Sequence, residues 1–147
     1  MGNVIIGADH RGYRLKSVIV DALRENDIVV EDLGNTEYDR EDDFVDFALK
    51  VAEKVVSERT KGILICGAGI GMSITANKVR GVRAGLCTSI KQARLARCHN
   101  DINVLCLSAE LVSQEKNLKI VNKFLNTVFS SGENYIRRIN EIKKYES

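Results

Sequence analysis

The sequence predicts an α/β fold, a parallel β-sheet covered by helices on both sides. Short apolar runs rich in Val and Ile alternate with longer segments of helical period along the whole chain. At 147 residues the chain is one domain's worth, residues 1–147, enough to bury roughly two-thirds of its unfolded surface. No repeat, low-complexity tract or linker interrupts the alternation. Strand, helix, strand in succession implies parallel pairing with right-handed crossovers.

The first strand is NVIIGA (3–8), followed by a helical stripe of Leu15, Val18, Ile19, Ala22 and Leu23. DIVVEDL (27–33) is the second strand. Phe44, Phe47, Ala48, Val51, Ala52 and Val55 then recur at helical spacing, which gives a second helix its buried face. GILIC (62–66) is the third strand and residues 71–79 the helix after it. VRAGLC (82–87), a helix over 89–98 and INVLCL (102–107) complete the sheet. Helices over 113–128 and 132–145 close the chain, the last with Ile136, Ile139 and Ile142 on one face.

Composition narrows the function. The chain is 44% hydrophobic and 29% charged, with 22 basic and 20 acidic residues. A net charge of +2 offers no electrostatic footprint for nucleic acid or a membrane surface. No stretch has the order of a signal peptide or the roughly 20 apolar residues of a membrane span, so the expected setting is the cytoplasm. Cys66, Cys87, Cys98 and Cys106 form no C-x-x-C pair, and a chain this long needs no disulfide staple, so reduced thiols are expected. With His10 and His99 they also lack the paired spacing of a structural zinc site, and no metal is expected.

In an open parallel sheet a ligand binds beyond the carboxyl ends of the strands, most often between the first and third. Here those ends read GADHRG (7–12) and CGAGIG (66–71). Gly67, Gly69 and Gly71 let the backbone turn and bring its N–H groups to a ligand at a helix start, which makes an anion cradle. The loop is neither a dinucleotide fingerprint, since the glycine spacing differs and the next strand ends without an acid, nor a P-loop, since no Gly-Lys-Ser/Thr follows. Cys66, just before the first glycine, sits where helix-start N–H groups favour a thiolate and so a base or nucleophile. A small core residue is the alternative, and it is the expected role of Cys87, Cys98 and Cys106. Asp9 and His10 face Cys66 across the switch point as candidates for proton transfer and oxygen binding, although Asp9 alone reads as a helix cap. His99, in RCHND (97–101), alone reads as a helix C-terminal cation.

These stretches together resemble the ribose-5-phosphate isomerase B family, which includes the galactose-6-phosphate isomerase subunits. The resemblance is carried by GADHRGYRLK (7–16), GILICGAGIGMSITANKVRGVRAGLC (62–87), ARLARCHNDINVLCLSAELV (93–112) and, more loosely, SSGENYIRRINEI (130–142). It implies a Rossmann-like three-layer α/β/α sandwich with a five-stranded parallel sheet and a C-terminal helix reaching to a partner subunit. The implied reaction interconverts ribose 5-phosphate and ribulose 5-phosphate by proton transfer through an enediolate, without a cofactor. Cys66 is the implied base, because Met72 stands where another branch has a glutamate. Gly67, Ala68, Gly69, Ile70 and Gly71 would cradle the enediolate, Asp9 and Asn100 would hold the reacting oxygens, and His99 of the second subunit would open the sugar ring. The implied assembly is a homodimer with a shared site, with pairing into tetramers left open.

The chain departs from that pattern at several positions. Ala68 replaces a usual Thr or Ser, Phe44 replaces an active-site tyrosine, and Glu110 and Asn134 replace two phosphate-gripping arginines. Arg138, Arg137 and His10 are left for the phosphate, and a carboxylate at 110 would repel it unless turned away or paired with an arginine. The alternatives are a six-carbon sugar phosphate as substrate, or a catalytically silent subunit that binds sugar phosphates. A flavin binder suits the fold but lacks the aromatic residues.

Overall fold

In the computed structural model, which describes residues 2–146, strands β1 (Val4–Ala8), β2 (Val30–Asp32), β3 (Lys61–Cys66), β4 (Ala84–Leu86) and β5 (Val104–Ser108) form one sheet. Helices α1 (Tyr13–Glu25), α2 (Phe44–Glu58), α3 (Ile70–Ala76), α4 (Ile90–Asn100), α5 (Gln114–Asn126) and α6 (Glu133–Lys144) connect and follow them. Met1 and Ser147, the outer limits of the expected domain, lie outside the described residues. All four pairings are parallel, in the order β2-β1-β3-β5-β4. The sheet is five-stranded and parallel, as expected.

Alternation along each strand divides the core in two. Val4, Ile6, Ile63, Ile65, Leu105 and Leu107 face α1, α4 and α5, against Leu15, Ile19, Ala93, Ile120 and Phe124. Ile5, Leu64, Cys66, Val104 and Cys106 face α2 and α3, against Phe47, Val51, Val55, Met72 and Ala76. With both faces covered, the central strands are apolar throughout, as parallel sheets require. Among the described residues no helix is long and apolar enough to cross a membrane, and all four cysteines are free thiols.

Except for β3, the strands are shorter than the apolar runs predicted, and at β2 and β5 helix ends consume their edges. Ile28 donates its N–H to Leu23 O and Asp27 takes φ 60°, so 27–29 close α1 rather than start β2. Asp101, at φ 47°, and Ile102, donating to Ala96 O, close α4 in the same way and move β5 to Val104–Ser108. Asn77 stops α3 early, since its side-chain amide pairs with both the N–H and the carbonyl of Ala84 on the sheet edge. Ser89 and Ser113 accept the N–H groups three residues on, from Gln92 and Lys116, and so start α4 and α5.

Lys16 is the most deeply buried charged residue among the described residues. Lys16 is 2% exposed, and its Nζ donates to both oxygens of Asp32 at 2.8 and 2.7 Å and to Asn35 O at 2.6 Å. It ties α1 to the end of β2 and the loop beyond. Removing one partner of a buried pair strands the other charge. Asp32→Ala should therefore lower unfolding stability by about 2–4 kcal/mol, read from urea denaturation at neutral pH, whereas removal of the exposed Glu115 partner of Lys119 should change it by less than about 0.5 kcal/mol.

Candidate active site

At the carboxyl ends of β1 and β3 lies a cleft of about 300 Å³, bounded by Asp9, His10, Asp42, Phe44, Cys66 and the backbone of Gly67, Ala68 and Gly71. Ala8 pairs with Ile65 in the β1–β3 ladder, and Asp9 N–H continues it to Ile65 O at 3.3 Å. Asp9 and Cys66 are therefore neighbours across the switch point. Cys66, 6% exposed, forms the cleft floor, and its Sγ accepts the N–H of Gly69 at 3.2 Å. That bond strengthens when the sulfur is anionic.

The glycines have two separate reasons. Gly69 is the N-cap of α3 at φ 80°, a left-handed conformation, and a Cβ there would stand 2.5 Å from Leu86 Cδ1. Gly71 has helical backbone but lies under Phe44, whose ring would be 2.7 Å from a Cβ. Phe44 opens α2 and walls the cleft with an apolar ring. Met72, next along, is fully buried in the core against α2.

Asp9 is 5% exposed, and its Oδ1 accepts from the N–H groups of Arg11 and Gly12 at 3.0 and 3.1 Å. It braces the loop that enters α1 while the residue lines the cleft. Burial raises the Asp9 carboxyl above its ordinary range, against the lowering effect of the Gly12 N–H. His10 is held twice by one oxygen: its backbone N–H and its Nδ1 meet Asp42 Oδ1 at 3.0 and 2.8 Å. Asn35 donates to the other Asp42 oxygen at 3.1 Å. Burial would push the Asp42 carboxyl up, but the hydrogen bonds from His10 and Asn35 outweigh it and hold it below the usual range. Asp9, His10 and Asp42 offer ligand atoms within 4.8 Å of one another. Most of these atoms are already engaged by backbone N–H groups or by each other.

Asp42 was missed in the sequence, since nothing in the acidic run DREDD (39–43) indicates that it meets a residue 32 positions earlier. Glu110 pairs with Arg11 at 3.6 Å. Cys87 and Cys106 are buried packing residues; burial pushes the Cys87 thiol up to about 11 and the Cys106 thiol further in the same direction.

His99 and Asn100 are not brought to this cleft by their own chain. They end α4, beside the start of β5, whereas Cys66 is level with Ser108 at its end. The four steps from Val104 to Ser108 span about 13 Å of strand. The His99 ring stacks on Tyr135 of α6, centroids 4.6 Å apart and planes within 8°. Arg137 and Arg138 are exposed on α6, with Arg137 near Glu141 at 3.9 Å.

A buried carboxyl that binds its proton more tightly folded than unfolded destabilises the fold once ionised; that cost is present above the folded pKa and vanishes as pH falls through it. Asp9→Asn can keep the bonds to Arg11 and Gly12 N–H without the charge. It should be at least as stable as the parent at pH 7, with the gap closing on acidification, as read from denaturant midpoints across pH.

Residues 4–142 match the family model described as ribose/galactose isomerase. The chain is 47% identical over 146 residues to the probable ribose-5-phosphate isomerase B of Mycoplasma genitalium, covering 98% of this chain and 95% of that protein. The crystal structure of ribose-5-phosphate isomerase B from Mycoplasma genitalium with bound ribulose 5-phosphate superposes with a TM-score of 0.95 at 46% identity, covering 98% of this chain and 95% of that one. The enzyme of the same name from Clostridium thermocellum gives 0.94 at 42% identity, over 98% and 97% of the two chains. By sequence over nearly its whole length and by fold, this chain belongs to the ribose/galactose isomerase family.

Proposed function

We propose that the protein is a cytoplasmic aldose–ketose isomerase that interconverts ribose 5-phosphate and ribulose 5-phosphate. The observation that carries this reading is the placement of the Cys66 thiol with the Asp9 carboxyl in one cleft, the sulfur accepting the N–H of Gly69 at the start of α3. Isomerisation needs one group to take a proton from C2 of the open-chain aldose and return it at C1. It also needs donors for the oxyanion that forms between the two steps. Cys66 is the base that shuttles the proton. The N–H groups of the Gly67–Gly71 segment not used by the sulfur face the enediolate oxygens, since the first turn of a helix leaves its N–H groups without intrahelical partners. The raised Asp9 carboxyl can lend and recover a proton at those oxygens.

Ring opening needs a further acid or base, and Ala68 brings no hydroxyl to the cleft. We assign it to His99 of a second copy, with Asn100 beside it. Its separation from the same chain's Cys66 and its place in the last turn of α4 support that assignment. The site would then be complete only in a dimer.

Two experiments test this. Cys66→Ser leaves the shape but supplies a group far too weakly acidic to be anionic at neutral pH. It should cut kcat by roughly 10²–10⁴ with little change in KM and abolish exchange of solvent deuterium into the sugar at C1 or C2. Exchange at the parent rate would make Cys66 a packing residue. Mixing inactive Cys66→Ala with inactive His99→Ala subunits should restore activity as mixed dimers form with one intact site; no recovery after verified exchange would place both residues in one chain's site.

A further inference from the structure

We infer that Tyr135 is a positioning residue for ring opening, its phenol ring fixing the plane of the His99 imidazole. The inference rests on the isomerase reading above and on the assignment of ring opening to His99. The two rings stack with centroids 4.6 Å apart and planes within 8° of parallel. His10 has its Nδ1 held by Asp42, whereas among the described residues neither His99 nitrogen has a hydrogen-bond partner. No hydrogen bond orients the His99 ring, and the stack takes that part. It engages the face of the imidazole and leaves both nitrogens, which lie in the ring plane, free to meet a ligand.

The surrounding chain holds the pair in place. Three successive residues in the last turn of α4 engage the segment that leads into α6. Arg97 Nε donates to Thr127 O at 3.2 Å, Cys98 O accepts the N–H of Ser130 at 3.0 Å, and His99 meets Tyr135. Arg97 is buried, so the first of these ties lies inside the fold. Tyr135 is in the first turn of α6 and donates its N–H to Gly132 O. A Cβ at Gly132 would stand 3.2 Å from Tyr135 Cδ2, so the phenol is seated against the N-cap of its own helix. Ring opening has strict geometry. The imidazole takes the proton of the C1 hydroxyl, the C1–O4 bond breaks with its electron pair going to O4, C1 becomes the aldehyde carbon, and O4 receives the proton. Both oxygens are on one carbon, and the nitrogen that serves them must face them in the ring plane, where its lone pair lies; a tilted imidazole loses both transfers.

Ribulose 5-phosphate separates this step from the rest, because its esterified C5 oxygen cannot close a furanose ring and the sugar enters the site open. In Tyr135→Leu, kcat from ribose 5-phosphate should fall by about 10- to 100-fold, while the rate at which solvent deuterium enters C1 of saturating ribulose 5-phosphate changes by less than about twofold. Tyr135→Phe keeps the ring and should restore the parent ratio of the two rates. Both are read on one sample, so the ratio does not depend on how much of the protein is folded. His99→Ala should lower the ratio at least as far as Tyr135→Leu. An unchanged kcat in Tyr135→Leu, an equal fall in both of its rates, or a Tyr135→Phe that behaves like Tyr135→Leu overturns the role of Tyr135. A His99→Ala with the parent ratio overturns the assignment of ring opening and this inference with it. A parent that neither isomerises nor exchanges overturns the isomerase reading as well.

Discussion

The parallel pairing of β1 with β3 is the constraint on which the site depends. Its register sets Ala8 against Ile65, so the residues immediately beyond, Asp9 and Cys66, emerge side by side with the same polarity. Connections that leave these two strands turn to opposite faces of the sheet: α1 packs with α4 and α5, and α2 with α3. The cleft opens where they part. A slip of one residue in this ladder would turn the Cys66 side chain from the α2 face to the other face and separate it from Gly69 N–H.

Much of this was legible in the sequence. Val/Ile runs and helical stripes are direct readouts of burial on one or two faces, and the switch-point rule carried the search to Asp9, His10, Cys66 and the glycine loop without coordinates. Element ends were less legible. Asp27 and Asp101 adopt left-handed conformations that any survey of apolar residues passes over, and each draws two or three residues of an apolar run into a helix terminus. The contacts that cross between loops were illegible: the pairing of His10 with Asp42, and of Arg11 with Glu110, depends on where two loops with no fixed sequence relation come to rest.

Asp9 and Asp42 show how loop geometry sets two carboxyls apart within one site. Both are shielded from water, but Asp42 is compensated by a histidine ring, a backbone N–H and an amide, and it stays ionised as the anchor of His10. Asp9 is held up chiefly by its burial, which its two backbone N–H groups do not offset, so its proton is held more tightly. Two carboxyls of opposite proton affinity thus arise from the same residue type. The chain from Lys16 through Asp32 and Asn35 to Asp42 links this difference to the body of the fold.

The loop between Cys66 and Gly71 is rich in glycine, yet its neighbour fastens its first residues. Ala109 N–H donates to Cys66 O, Glu110 N–H and Ser108 Oγ both reach Gly67 O, and Leu111 N–H closes on Ser108 Oγ. The β5–α5 turn is a splint for the loop that would face the reacting atoms. A cradle held this way has its dipoles aligned before charge arrives and need not reorganise as an oxyanion forms. The entropy of ordering those glycines is lost once, when the chain folds, and not again in each catalytic cycle.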